Sequence, residues 1–119
     1  MPSRTRLILA LGAAVAALAV VLPAQAAPPR LDGTVGPGFT ITLKLKGSAV
    51  KTLKAGSYRL VVNDLSSMHN FHLTGPGVRF TTSVGATGVK AVTITLRAGR
   101  YHYQCDPHAG LMKGDFKVV

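Results

Sequence analysis

The chain has 119 residues and a net charge of +10, with 14 Lys and Arg against four acidic residues, all Asp. That length holds one small domain with one modest core and leaves no room for a second. A lone cysteine, Cys105, excludes an internal disulfide, and basic residues spread along the chain instead of gathered in an arm argue against nucleic-acid binding.

The first element is a targeting segment. Arg4 and Arg6 form a basic start, Leu7 to Leu22 is apolar, and Ala24-Gln25-Ala26 has the small-x-small form of a cleavage site. This is the signal-peptide pattern, expected over 1–26 and cleaved after Ala26, with the folded domain at 27–119. The alternative is an uncleaved anchor, but the apolar run is short for a full span and Pro23 follows at once. No cysteine marks a lipoprotein site, and no later stretch could cross a membrane. The protein is therefore expected in the periplasm, the extracellular space or the cell envelope, without stable membrane insertion. Removal of 26 residues leaves 93, with 12 Lys and Arg against four Asp, a charge of +8.

After Pro29 the pattern has period two. Phe39, Ile41, Leu43 and Leu45 alternate with Thr40, Thr42, Lys44 and Lys46; Tyr58, Leu60 and Val62 do so with Ser57, Arg59 and Val61; Val92, Ile94 and Leu96 with Thr93, Thr95 and Arg97. Such alternation marks strands with one face on a core and one in water. Gly and Pro punctuate between them, at Gly36-Pro37-Gly38, Gly47, Gly56, Gly75-Pro76-Gly77, Gly85, Gly88 and Gly99. Strands are expected at 31–35, 39–46, 57–63, 69–74, 78–82, 90–97, 100–105 and 114–119. The connector 47–56 is expected to fold Val50 and Leu53 into the core. The fold class is all-β, a sandwich or barrel of about seven to eight strands.

The chemistry lies at two places. Met68-His69-Asn70-Phe71-His72 supplies histidines, and Cys105-Asp106-Pro107-His108-Ala109-Gly110-Leu111-Met112 has the spacing C-x2-H-x3-M. Tyr101, Tyr103 and Cys105 share a strand face, and the size of the two tyrosines makes it the core face. His102 alternates away and is expected to be solvated. Taken singly, an inward Cys is a small buried hydrophobe, a loop His is solvated and a Met is core. Together, two His, one Cys and a weak Met are the ligand set of a blue-copper centre. His69 and His72 face opposite ways on a strand; His69 shares its face with Phe71 and Leu73, so His69 is favoured. Met68 faces the other way.

The run Tyr101 to Gly114 resembles the ligand loop of the plastocyanin/azurin family of cupredoxins, and His69-Asn70 resembles the His-Asn pair that carries that family's first ligand. The resemblance extends over nearly all of 31–119. It implies a Greek-key β-sandwich with copper at one end. It also implies His69, Cys105 and His108 as strong ligands, Met112 as the long axial one, and Asn70 tying its strand to the backbone just after Cys105. The expected cofactor is one copper ion cycling between Cu(I) and Cu(II). Plant plastocyanins have a Tyr just before the Cys; here that residue is Gln104, which puts an electron route through that side in doubt.

The expected function is that of an exported type 1 (blue) copper protein, a monomeric one-electron carrier and not an enzyme. No catalytic acid–base pair is visible in the sequence, nor a second His cluster for further coppers. Electrons would pass at the edge of His108, inside a rim of Pro107, Ala109, Gly110 and Leu111. Gly36-Pro37-Gly38 is a candidate neighbour of that rim. The partner would be a redox protein, an acidic one if the basic charge steers docking and does not simply solvate strand faces. A copper scavenger, chaperone or sensor on the same fold is the alternative, and the scarcity of Met argues against it. A metal-free interaction domain of this fold is opposed by the complete ligand set.

Overall fold

The alternating segments pair into two five-stranded sheets. The structure, a computed structural model, describes residues 2, 8–22 and 26–119. The strands are β1 (Arg30–Val35), β2 (Ile41–Leu45), β3 (Ser48–Ala49), β4 (Thr52–Leu53), β5 (Gly56–Asp64), β6 (His72–Gly75), β7 (Val78–Thr81), β8 (Gly88–Leu96), β9 (Gly99–Gln104) and β10 (Lys113–Val118). One sheet has the order β3-β2-β1-β5-β8 and the other β4-β10-β9-β6-β7. β1 runs parallel to β5 and β10 parallel to β4; the remaining pairs are antiparallel.

The all-β sandwich is as the alternation requires, but the strand count is ten, not seven to eight. The two additional strands are the pieces β3 and β4 inside the expected connector. They lie at the edges of opposite sheets, so the connector carries the chain from one sheet to the other. Val50 and Leu53 are buried on the way, as expected.

The facing sides of the sheets form one core. Leu31, Val35, Leu43, Leu60, Val62 and Leu96 come from one sheet; Leu73, Tyr101, Tyr103, Phe116 and Val118 come from the other. Full burial of each such aliphatic side chain stabilises the fold by about 1.5–3 kcal/mol. Phe71 stacks on Tyr103 and Tyr101 on Phe116, with ring centroids 5.6 and 5.1 Å apart. Gly114 lies beneath Tyr103, where a Cβ would come within 2.3 Å of the ring, so only glycine lets the tyrosine lie flat on β10.

The Tyr101 hydroxyl ties the turn before β9. It accepts from Arg97 N at 3.1 Å and donates to Arg97 O at 2.8 Å. Tyr101→Phe keeps the ring and leaves those backbone groups without their partner. We expect a loss of about 1–3 kcal/mol, read in urea denaturation. Unchanged stability would mean that the hydroxyl contributes nothing to the fold.

The apolar side chains of 8–22, such as Leu11, Val15 and Leu18, are exposed and take no part in the core. Among the described residues no helix is long and apolar enough to cross a membrane. Arg4, Arg6, Ala24 and Gln25, on which the signal-peptide expectation rests in part, lie outside the described residues.

Candidate metal centre

β9 delivers Cys105 at its end. Tyr101 and Tyr103 point into the core, and Cys105 continues that face with no exposed surface. Asp106–His108 then form one turn of 3-10 helix with Pro107 in its first positions, where the missing proline N–H has no intrahelical partner to lose. His108 N donates to Cys105 O at 3.0 Å, and Leu111 N and Met112 N donate to His108 O at 2.9 and 2.8 Å. Cys105 N donates to Met112 O at 3.0 Å, one step beyond the Gln104–Lys113 pair of β9 and β10. The C-x2-H-x3-M spacing is thus the length of a closed hairpin loop. Met112, 1% exposed, is held on it by backbone bonds to both Cys105 and His108.

His69 arrives from the other side of the sandwich end. Asp64 closes β5 and its Oδ1 accepts from Ser66 N at 3.0 Å; Ser66 Oγ accepts from Met68 N, and Ser66 O from His69 N. This turn aims the His69 ring inward. The expected strand at 69–74 begins only at His72, so strand alternation does not place His69. Asn70 and Phe71, adjacent residues, are both buried, which no alternating strand would allow. His72 does lie on β6, and it faces outward to bond Asp106 Oδ1 at 2.9 Å.

The structure brings His69, Cys105 and His108 together, their donor atoms within 4.8 Å of one another. His69 Nδ1 and His108 Nδ1 are 3.2 Å apart, and Cys105 Sγ is 3.7 and 3.6 Å from them. His69 Nε2–H donates to Gly38 O at 3.0 Å, which leaves the Nδ1 lone pair facing the cluster. Nitrogen lone pairs and a sulfur this close repel one another unless a proton or a cation sits among them. A point in the middle of the triangle is about 2 Å from each corner, near the usual first-row bond lengths of about 2.0–2.1 Å to imidazole and about 2.3 Å to thiolate. One soft thiolate with two imidazoles is a donor set suited to a single copper ion.

Around these donors the packing is close. Gly36, at φ 70°, lies so near His69 that a Cβ would sit 3.2 Å from the imidazole Cδ2. The segment Gly36-Pro37-Gly38 therefore adjoins the site through both Gly36 and the Gly38 carbonyl. Phe39 is a correction: expected on an inward strand face, it precedes β2, is 54% exposed, and sets its ring edge-on against His69 and His108, with centroids 5.5 and 4.9 Å apart. Only its place directly after the Gly-Pro-Gly turn could have hinted at this. His69 is buried, while His108 is partly exposed.

Asn70 makes the outer tie. Its Oδ1 accepts from Asp106 N at 2.7 Å, and its Nδ2 donates to Asp106 Oδ2 at 2.8 Å and to Thr82 O at 3.2 Å. Desolvation resists ionisation of Asp106, but hydrogen bonds from Gln104, Asn70 and His72 outweigh it and bring its pKa down to about 2. His102 is also a correction. It is not simply solvated: its Nδ1 bonds Asp115 Oδ1 at 2.8 Å and its Nε2 bonds Gln104 Oε1 at 2.9 Å. The bond to Asp115, opposed by partial burial and aided by Gln104, raises its pKa above the ordinary histidine value.

Residues 39–119 match the family described as copper binding proteins, plastocyanin/azurin family. Among solved structures, rusticyanin from Thiobacillus ferrooxidans at 1.27 Å is 20% identical, with a TM-score of 0.53 over 76% of each chain. Rusticyanin determined at 2.1 Å is 19% identical, with a TM-score of 0.58 over 76% of each chain. A chain of a heme-copper terminal oxidase dimer is 17% identical, with a TM-score of 0.54 over 86% of this chain and 76% of that one. These likenesses show the fold. No curated protein matches the chain at a significant level.

Proposed function

Because the chain belongs to the plastocyanin/azurin family of copper-binding proteins, we propose that it is an exported one-electron carrier, not an enzyme, that holds copper with His69, Cys105, His108 and Met112. The observation that carries this reading is the triangle of His69, Cys105 and His108, in which Gly38 O holds the second nitrogen of His69 and backbone bonds close the loop that carries Cys105 and His108. Copper would supply a one-electron couple at that point. The chain's own contribution is to hold the donors in one arrangement, so that little has to move between oxidation states. Gly38 O fixes the His69 tautomer, and the Asn70–Asp106 pair fixes the backbone after Cys105. Burial of Cys105 and His69 excludes water, while the partly exposed His108, with the exposed Phe39 and Leu111 nearby in fold and sequence, gives a partner access.

The test is a visible spectrum. Addition of Cu(II) to the protein is expected to give an intense thiolate-to-copper band. One equivalent of a one-electron reductant bleaches it, and reoxidation restores it with the copper still bound. Absence of the band sinks the copper reading. A band that appears, followed by ready loss of copper to a chelator on reduction, would favour the delivery or scavenging alternative.

The partner we propose is an acidic redox protein. All four carboxylates are engaged: Asp32 with Arg30, Asp64 with the Ser66 backbone, Asp106 with His72 and Asp115 with His102. Among the described residues only Arg30 of the Lys and Arg side chains forms an ion pair. The surface field is therefore positive with little internal neutralisation. Electron exchange with an acidic partner is expected to slow as salt rises, since screening acts over about 8–10 Å near physiological strength. Stopped-flow rates independent of salt would reduce the charge to ordinary solvation.

A further inference from the structure

Outside the cluster, on the solvent face of the second sheet, four side chains join into one line. Asp115 Oδ1 bonds His102 Nδ1 at 2.8 Å, His102 Nε2 bonds Gln104 Oε1 at 2.9 Å, and Gln104 Nε2 donates to Asp106 Oδ1 at 2.9 Å. Each polarity follows from its neighbour. The Gln104 amide turns its NH2 to Asp106 Oδ1. Its oxygen then faces His102 Nε2, and the Asp115 carboxylate faces His102 Nδ1. Both ring nitrogens face acceptors, an arrangement that favours the imidazolium form of His102.

The line ends on the residue after Cys105 and passes through the residue before it. Gln104 and Asp106 are thereby linked side chain to side chain across the cysteine. Asp106 is gripped further by Asn70 through two bonds and by His72 Nδ1 at 2.9 Å. Hydrogen bonds that polarise one another in this way are more rigid than isolated ones. We propose that Gln104 is a positioning residue for the metal centre, the middle of a strap that joins His102 to Asp106 and braces Cys105 from outside. The residue that departs from the plant plastocyanin pattern thus has a task of its own. This inference rests on the copper reading of the site.

Loss of Gln104 removes the side-chain link between His102 and Asp106. Asp106 keeps Asn70 and His72 as partners, so the site stays assembled while the backbone around Cys105 loses its outer brace and its fit to the two copper oxidation states changes.

The test uses Gln104→Ala and the near-isosteric Gln104→Glu, which accepts from His102 but cannot donate to Asp106. In copper-loaded protein the uncharged Gln104→Ala variant is expected to change the Cu(I)-to-Cu(II) affinity ratio several-fold, read by voltammetry, where tenfold is about 59 mV for one electron. In copper-free protein, NMR of the wild type is expected to show both His102 ring N–H protons, and exchange of the Asp106 amide is expected to quicken several-fold in both variants. A Gln104→Ala protein with wild-type potential, or a Gln104→Glu protein with wild-type exchange at Asp106, would overturn the strap, as would a single His102 N–H. If wild type fails to bind copper while the copper-free results hold, the copper reading falls and the strap stands as a structural brace alone.

Discussion

Cys105→Ser is expected to abolish the visible band of the copper-loaded protein and to weaken copper binding by more than about 100-fold, beyond the 10–100-fold usual when only an outer contact is lost. The band arises from charge transfer out of the thiolate, and serine offers no comparable donor orbital. The position is fully buried, and Cys105 is the only strong sulfur donor in the triangle. The fold is expected to survive. The backbone bonds from Cys105 N to Met112 O and from His108 N to Cys105 O do not involve the side chain. A buried hydroxyl can turn toward an imidazole nitrogen, so the stability cost should be no more than about 1–3 kcal/mol. Circular dichroism and the visible spectrum on one sample separate these effects. A serine variant that keeps the blue colour would end the proposal.

The second large effect is the contrast between two histidines three residues apart. His69→Ala is expected to cost more than about 100-fold in copper affinity, and His72→Ala about tenfold or less. His69 brings a nitrogen within 3.2 Å of His108 Nδ1 and 3.7 Å of Cys105 Sγ. His72 reaches the site only through Asp106, which keeps Asn70 and Gln104 as partners when His72 is gone. Competition against a chelator of known affinity measures both. Equal losses, or a larger one for His72, would place the metal elsewhere than the triangle.

The inward side chain of His69 has a different cause from the inward faces of the strands. Strand alternation with Phe71 and Leu73 predicts an inward His69, but alternation does not act there, since β6 begins only at His72. The side chain faces inward because Asp64 and Ser66 close that turn and Gly38 O takes the far ring nitrogen. His69, Asn70 and Phe71 are buried in succession, which a period-two strand does not allow, and that burial exists only in the tertiary structure. Phe39 likewise continues the alternation of β2 by one residue, but the chain has already left the sheet.

What the amino-acid order determines by itself here is local. Alternation sets which faces of β2, β5, β8, β9 and β10 turn inward, because side chains on a strand alternate regardless of what lies opposite. The spacing from Cys105 to Met112 sets a hairpin loop that gathers Cys105, His108 and Met112, because loop closure over so few residues needs no distant partner. The tertiary structure alone decides the rest. The Gly38–His69 bond spans 31 residues and the Asn70–Asp106 pair 36, and neither leaves a periodic trace. The Phe39 ring against both histidines and the line from Asp115 to Asp106 depend on which strands become neighbours. The donors are therefore named by the sequence, while their tautomer, their bracing and their exposure come from contacts that exist only once the two sheets have closed on each other.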